Sequence, residues 1–303
     1  MNAIDTGSLL DRTSRTFALA LPLLPAPVSE EASLAYLLFR VVDTLEDGPE
    51  WSPREKGGAL LDLAHHFERP TIDGAEALAG RWLRLPPADD GGLVDLLGAY
   101  PALVAALLAL PSDGSRLTFD SARRTALGMR GYLLRDPDGP LVLRDIPDLR
   151  GYCYVVAGVV GELLTEFFLR CLPGPEPPVL ASRLRELAPC FGEALQLVNI
   201  LRDETADRIA RRRLVPDGAH AEAARLAAHD LVLAGRYTGL LDAAGAPAEI
   251  RRFTAFLTRL AAGTLAAVER EGPGARLSRE AVFEALGEVR IDGRSDHESS
   301  RHR

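Results

Sequence analysis

The sequence contains few of the residues that several large classes of protein depend on. It has three cysteines and six histidines among 303 residues. Cys153, Cys171 and Cys190 follow no CxxC spacing, and neither an HExxH zinc motif nor a GxxxxGK phosphate loop is present. We therefore expect reduced thiols packed as small apolar groups, and neither zinc chemistry nor a glycine-rich phosphate loop.

Long apolar runs and excess positive charge are also missing. The longest apolar stretch, 93–110, is interrupted by Asp95 and Pro101 and falls short of the roughly 20 residues that span a bilayer. No secretory leader is recognisable, so we expect no transmembrane anchor and a cytoplasmic protein, with loose membrane association left open. The net charge of −8 argues against general nucleic-acid binding.

Strand-like alternation is scarce, whereas apolar residues recur at helical spacing along most of the chain. This pattern predicts an all-α protein. The Pro- and Gly-containing segment 86–92 resembles a linker, but two acidic clusters, 43–47 and 203–207, lie on either side of it and would form one site only if they converge. We therefore predict one domain over 1–291, followed by a polar tail, 292–303, that is disordered.

Two acidic clusters are the most informative feature present. Because residues three and four apart share a helix face, Asp43, Glu46 and Asp47 are expected to point together, and Asp203 and Asp207 likewise. Magnesium prefers hard oxygen ligands and combines a few carboxylates with water and substrate phosphate oxygens. The clusters therefore predict Mg²⁺ held against a diphosphate.

Arginines accompany both clusters. Arg40 lies one helical turn before Asp43, Arg202 directly precedes Asp203, and 211–213 are three consecutive arginines. Guanidinium groups bind phosphate oxygens in pairs, which suits a diphosphate ligand. A solvated helix end is an equally good interpretation of 211–213.

The segment 151–162 combines small residues, branched aliphatics and two tyrosines. Gly158 and Gly161 are three apart, which gives a helix a flat face at some cost in stability. That face predicts close packing against another helix, with an apolar ligand groove as the alternative.

Together these segments resemble the signature blocks of the squalene and phytoene synthases, in the same order and at similar separations. The blocks are the first acidic cluster, Tyr152 to Gly161, and Gln196 to Asp203 with Asp207. The resemblance begins near 14–17, and weakens after Pro216. It implies a single-domain isoprenoid synthase bundle of α-helices with a central apolar cavity.

The resemblance also implies an enzyme, a prenyltransferase that uses Mg²⁺ to ionise an allylic isoprenoid diphosphate. Tyr152 matches the tyrosine to which the family assigns proton transfer or cation stabilisation. The implied metal ligands are Asp43, Asp47, Asp203 and Asp207, with Glu46 in support. The implied substrate contacts are Ser14, Arg15, Tyr36, Arg40, Val156, Gln196, Asn199, Arg202 and Arg212.

The acceptor of the prenyl group is less constrained. Head-to-head condensation of two farnesyl diphosphates, giving presqualene diphosphate, squalene or dehydrosqualene, is the first expectation. However, Leu214 and Val215 stand where the family commonly has an aromatic residue. Leu257 and Thr258 replace a proline and glutamine associated with the NADPH-dependent half-reaction, so use of NADPH is open. The alternative is transfer of one prenyl group to a small aromatic acceptor such as a carbazole.

Overall fold

In the computed structural model, residues 4–174 and 178–287 are described. The chain divides into two compact units, residues 1–22 with 26–141 and residues 23–25 with 142–303. The first unit consists of eight helices. In chain order they are α1 (Thr6–Thr13), α2 (Arg15–Ala20), α3 (Ala26–Asp47), α4 (Pro53–Glu68), α5 (Ile72–Trp82), α6 (Gly91–Gly98), α7 (Tyr100–Ala109) and α8 (Ser112–Leu133).

Helix α3 carries the first acidic cluster and is buried along most of its length. Fourteen of its 22 residues are buried, including Leu37, Leu38 and Val41 at 0% exposure. Each such side chain contributes about 1.5–3 kcal/mol through burial of apolar surface. The helix ends before Gly48, where a Cβ would collide with Pro87. Pro87 thus leaves no room for a side chain directly after Asp47, the last residue of the helix and of the first acidic cluster.

The second unit contains the remaining long helices. They are α9 (Ile146–Cys153), α10 (Val159–Leu169), α11 (Pro178–Ile209), α12 (His220–Ala243) and α13 (Ala248–Glu271), and residues 279–287 are also helical. A π-helical turn, Tyr154–Gly158, joins α9 to α10. Two short strands, β1 (Leu141–Val142) and β2 (Arg212–Arg213), pair with each other.

Glycine sets the packing between α10 and α11. A Cβ on Gly161 would collide with the carbonyl oxygen of Ala188, and one on Gly192 would collide with that of Ala157. Backbone therefore lies directly on backbone at this contact, which no larger residue permits. The structure thus places close helix packing, rather than a groove, at the flat face predicted from Gly158 and Gly161.

Residues 146–169 form a helical stretch that is long and apolar enough to span a membrane, and 61% of its most apolar part is buried within the protein. Burial of this extent is typical of a core helix. The apolar stretch that the sequence singled out instead forms α6 and α7, which meet at 52°.

The all-α prediction is confirmed, because the described residues form helices apart from the two dipeptide strands and the connecting loops. The single domain over 1–291 remains a prediction. The tail, 292–303, lies outside the described residues.

Candidate active site

The first acidic cluster presents its carboxylates in two different environments. The side chain of Asp43 is 32% exposed and Asp47 is exposed, whereas Glu46 is 2% exposed. Burial lowers the pKa of Lys56, and the nearby charge of Glu46 opposes that effect. Asp43 and Asp47 are therefore open to a ligand, whereas Glu46 faces the protein interior beside a lysine.

Four predicted residues of the first unit come together at the start of α2 and on α3. Ser14 caps α2 by accepting a hydrogen bond from the Phe17 amide at 3.1 Å. Burial raises the pKa of Tyr36, while a hydrogen bond with Ser14 and the charge of Arg40 oppose that rise. The Nη1 of Arg40 lies 3.8 Å from Asp43. Ser14, Arg40 and Asp43 thus all lie near the Tyr36 phenol, and Arg40 also pairs with Asp43.

Arg40 has capacity left for another acceptor. Its Nε is buried and, within the described part of the chain, has no hydrogen-bond partner. A buried donor without a partner costs stability, about 1–3 kcal/mol. A phosphate oxygen is a suitable acceptor for such a guanidinium.

In the second unit, Arg202 and Asp203 form a two-bond pair at the centre of the second acidic cluster. Nε and Nη2 of Arg202 donate to the two carboxylate oxygens at 2.9 and 2.5 Å. The pair is about one-third exposed, and the carbonyl of Arg202 accepts from the Gly274 amide at 2.6 Å. The structure thus holds Arg202 against the acidic cluster rather than extended into solvent.

Arg212 joins two elements of the predicted site. Its Nη2 donates to the Tyr152 hydroxyl at 3.1 Å, and its Nε lies 3.7 Å from Asp207. Tyr152 is 1% exposed, whereas the side chain of Asp207 is 19% exposed. One guanidinium therefore connects a buried phenol with a carboxylate of the second acidic cluster.

The squalene/phytoene synthase family model matches residues 10–287 of this sequence. The chain belongs to the squalene/phytoene synthase family. The match includes both acidic clusters and Tyr152. The match confirms the family that was predicted from the three sequence blocks.

Among curated relatives, the squalene synthase BSS of Botryococcus braunii is 29% identical over 203 residues, which is 66% of this chain and 39% of that protein. The squalene synthase of Mycosarcoma maydis is 29% identical over 203 residues, which is 67% of this chain and 33% of that protein. The matched region is thus less than half of the length of these relatives.

Two solved structures share the fold. TcSQS in complex with the ligand BPH1237 gives a TM-score of 0.73 at 22% identity, with 94% of this chain and 85% of that chain covered. A dehydrosqualene synthase in complex with a ligand gives 0.54 at 20% identity, with 96% and 95% covered. At these identities the likeness supports the all-helical fold.

The remaining residues that the family resemblance assigned occupy the second unit or the start of α2. Gln196 and Asn199 are half-buried on α11, within two turns before Asp203, and Val156 is half-buried in the π turn. The position of Arg15 begins α2, but its side chain lies outside the described part of the structure.

The family residues have charged neighbours, of which sequence reasoning singled out only Arg213, among the three consecutive arginines, and not its partners. Glu204, Arg208, Arg213, Asp217 and His220 are joined by ion pairs and hydrogen bonds, and we call this set the clasp. Asp217 follows a proline in a loop, where no periodicity marks it. Only the i, i+4 spacing of Glu204 and Arg208 could have indicated part of it.

A second set of charges consists of Arg150, whose side chain is 46% exposed, and two buried carboxyls, Glu193 and Asp230. Arg150 Nε donates to Glu193 at 3.2 Å, and its Nη2 lies 3.8 Å from Asp230. Asp230 is 0% exposed, and both its oxygens lack a hydrogen-bond partner within the described residues. Burial raises the pKa of both carboxyls against the opposing charge of Arg150.

The donor chemistry of the acidic clusters fits magnesium. Asp43, Asp47, Asp203 and Asp207 offer hard carboxylate oxygens that are at least partly exposed. Among residues 4–174 and 178–287, no three His, Cys, Asp or Glu side chains form a ready-made metal cage. Magnesium does not need one, because it commonly binds through one or two carboxylates with water and substrate phosphates.

Proposed function

We propose that this chain is a Mg²⁺-dependent prenyltransferase that ionises an allylic isoprenoid diphosphate. The observation that carries the proposal is the position of Arg212, in contact with both Tyr152 and Asp207. This contact joins a cation suited to phosphate, a carboxylate suited to magnesium and a phenol shielded from water. Membership of the family supports the same class of enzyme.

Breaking an allylic C–O bond places negative charge on the departing diphosphate and positive charge on carbon. Arg40, Arg202 and Arg212 are the guanidiniums that would stabilise the departing charge where it develops. Asp43 with Asp47, and Asp203 with Asp207, would hold Mg²⁺, which would supply Lewis acidity towards the diphosphate oxygens. The arginines would thus bind the phosphate groups, and the carboxylates would bind the metal.

Tyr152 serves the opposite end of the charge separation. Its ring is buried, so it excludes water from the carbocation, and an aromatic face attracts a cation. Its oxygen accepts a hydrogen bond from Arg212, which directs the phenolic proton away from the guanidinium. We infer that Tyr152 stabilises the cation or moves a proton from the coupled product.

The acceptor that we propose first is a second farnesyl diphosphate, joined head to head. The names of the relatives support this assignment, because several of them are squalene synthases. Products of this type are presqualene diphosphate, squalene and dehydrosqualene. The matched region is a minor part of those relatives, so the substrate pair is a proposal about this chain.

One observation favours the second candidate, transfer of a single prenyl group to a small aromatic acceptor. Helix α13 continues unbroken from Ala248 to Glu271 through Leu257 and Thr258. The Thr258 hydroxyl donates to the Thr254 carbonyl at 2.8 Å, within the helix. This helix thus carries neither the proline nor the glutamine that the resemblance associates with the reductive half-reaction, which weakens the case for an NADPH-dependent product.

The experiment is product analysis by mass spectrometry with purified protein, Mg²⁺ and each of dimethylallyl, geranyl, farnesyl and geranylgeranyl diphosphate. Reactions are run with and without NADPH and a panel of aromatic acceptors including carbazoles. We expect a condensed product from farnesyl diphosphate alone. Inertness until an aromatic compound is added would establish the second candidate instead.

Two variants test the ionisation step itself. Asp43→Asn and Asp203→Asn are expected to abolish diphosphate release while the protein stays folded by circular dichroism. Asp242→Asn removes an aspartate that pairs with Arg251 outside the acidic clusters, and it should release diphosphate at the wild-type rate. Full activity in Asp203→Asn would overturn the proposed function.

A further inference from the structure

The clasp closes around the stretch of chain that carries Arg212. Arg208 lies 3.2 Å from Glu204 and 3.6 Å from Asp217, and Arg213 lies 2.5 Å from Asp217. His220 contacts the second oxygen of Glu204 at 2.7 Å. The end of α11, strand β2, the following loop and the start of α12 are therefore connected by side chains.

We propose that Asp217 is a positioning residue for Arg212, acting through Arg213. Successive side chains of a strand point to opposite faces. Arg212 and Arg213 form β2, and Arg212 is directed to Tyr152 with 16% of its side chain exposed. Arg213 is directed to Asp217, with 40% exposed. Because the two side chains point opposite ways, fixing Arg213 towards Asp217 also fixes Arg212 towards Tyr152.

The backbone before this strand needs such support. Arg211 has φ of 60°, and among the described residues it is the only one other than glycine with positive φ. A left-handed conformation at a residue with a Cβ costs roughly 1 kcal/mol and persists when its surroundings hold it. One tie is the Leu143 amide, which donates to the Arg213 carbonyl at 3.0 Å. Another is the Arg211 amide, which donates to the Arg208 carbonyl at 3.2 Å, and Asp217 adds a third through the Arg213 side chain.

Asp217 is expected to contribute little to the free energy of folding. Its side chain is 64% exposed, and exposed ion pairs contribute about 0–1 kcal/mol to folding. Asp242 offers a matched comparison in the same unit, because it is also 64% exposed and lies 2.6 Å from Arg251. If Asp217 were an ordinary surface residue, loss of either carboxylate would have the same small effect.

The first test measures binding of inorganic pyrophosphate with Mg²⁺ by calorimetry, which requires no turnover. We expect Asp217→Asn to weaken binding about tenfold, because small displacements of a positioned group cost this much or more. Asp242→Asn should bind as the wild type does. Both variants should unfold within a few degrees of the wild-type temperature.

Whether pyrophosphate affinity falls or rises in Asp217→Asn distinguishes a positioning role from a direct effect of the lost charge. Removing one negative charge near the site would by itself strengthen binding of an anion, and added salt would screen that effect. Positioning predicts weaker binding that persists at both low and high salt. Unchanged or tighter binding by Asp217→Asn would overturn the proposal.

The second test is a double-mutant cycle with Arg212→Lys, read as kcat and KM for farnesyl diphosphate. Lysine keeps the charge but cannot hold two partners in the same plane. If Asp217 acts through Arg212, then Asp217→Asn adds little in the Arg212→Lys background. Additive losses in the cycle would show that Asp217 acts independently, contrary to the proposal.

Arg213→Gln tests whether the outer arginine is only a link. It should reproduce most of the tenfold weakening of Asp217→Asn, because it removes the Arg213–Asp217 pair and leaves only the Arg208–Asp217 pair in place. A much larger loss of pyrophosphate affinity would mean that Arg213 contacts the anion itself, and would refute the role given to Asp217.

This inference rests on the proposed function, and the two can fail separately. Wild-type protein that neither binds pyrophosphate nor releases diphosphate would end the proposed function. Wild-type binding combined with unaffected Asp217→Asn would leave the function intact and remove only the role of Asp217.

Discussion

Arg212 and Tyr152 are 60 positions apart in the chain, and the guanidinium donates a hydrogen bond to the buried phenol at 3.1 Å. The same guanidinium lies 3.7 Å from Asp207. A family motif on α9 and another on α11 thus meet through a residue that neither contains.

Tyr152→Phe should lower kcat at least tenfold with little change in KM, because it removes only the hydroxyl and leaves the ring in place. Tyr237→Phe is the matched control. Tyr237 is also fully buried, and its hydroxyl lies 2.7 Å from that of Thr165. The control should lose about 1 kcal/mol of stability and keep its kcat. Equal kcat in both variants would contradict the role of Tyr152.

Arg40→Lys should weaken pyrophosphate binding about tenfold, because lysine replaces a planar fork with a single point charge. The buried Nε of Arg40 is the group that this change removes. Arg81→Lys, at an exposed pair with Asp62 in the same unit, is the control and should bind normally. Calorimetric titration with Mg²⁺ present compares the two, and equal affinities would argue against a phosphate contact for Arg40.

Asp230→Asn should change how stability depends on pH. Burial raises the pKa of Asp230, so the folded state binds a proton more tightly than the unfolded state. Protonated Asp230 contributes its full stability to the folded state below the unfolded pKa of about 4. This contribution is lost as pH rises through the pKa of Asp230 in the folded state. Asn cannot titrate, so the variant should have a flatter profile and gain about 1 kcal/mol at pH 8.

Urea unfolding from pH 4 to 8 measures this effect. Asp242→Asn, at an exposed position, should follow the wild-type profile. Glu193 also has a raised pKa, so Glu193→Gln should flatten the profile as well. Lower stability of Asp230→Asn than of the wild type at pH 8 would show that the carboxylate is favourably paired rather than costly.

Gly161→Ala and Gly192→Ala should each destabilise the protein by about 3 kcal/mol or more, because the new Cβ meets backbone that cannot move aside. Gly235→Ala and Gly239→Ala are the controls. Both lie in α12 with no atom within 4 Å of the new Cβ. They should be neutral or stabilise by up to about 1 kcal/mol. Thermal unfolding compares all four, and tolerance of alanine at 161 and 192 would disprove the backbone contact.

Local patterns in the sequence sufficed for the fold class and for the family. Helical periodicity reports which faces are buried, and the motif blocks are contiguous, so neither requires knowledge of distant contacts. The same reasoning placed Glu46 on the face of Asp43 and Asp47. The structure buries Glu46 beside Lys56, since a helix face can be covered by a neighbour that periodicity does not reveal.

The sequence by itself determined the helices, the acidic clusters and the arginines that accompany them. It left the arginines at 211–213 divided between a phosphate site and a solvated helix end. Tertiary structure directs Arg212 to Tyr152 and Arg213 to Asp217, which supports the phosphate role proposed for Arg212 alone. The physical reason is that adjacent residues of a strand face opposite ways, and only the packed neighbours specify which one faces inward.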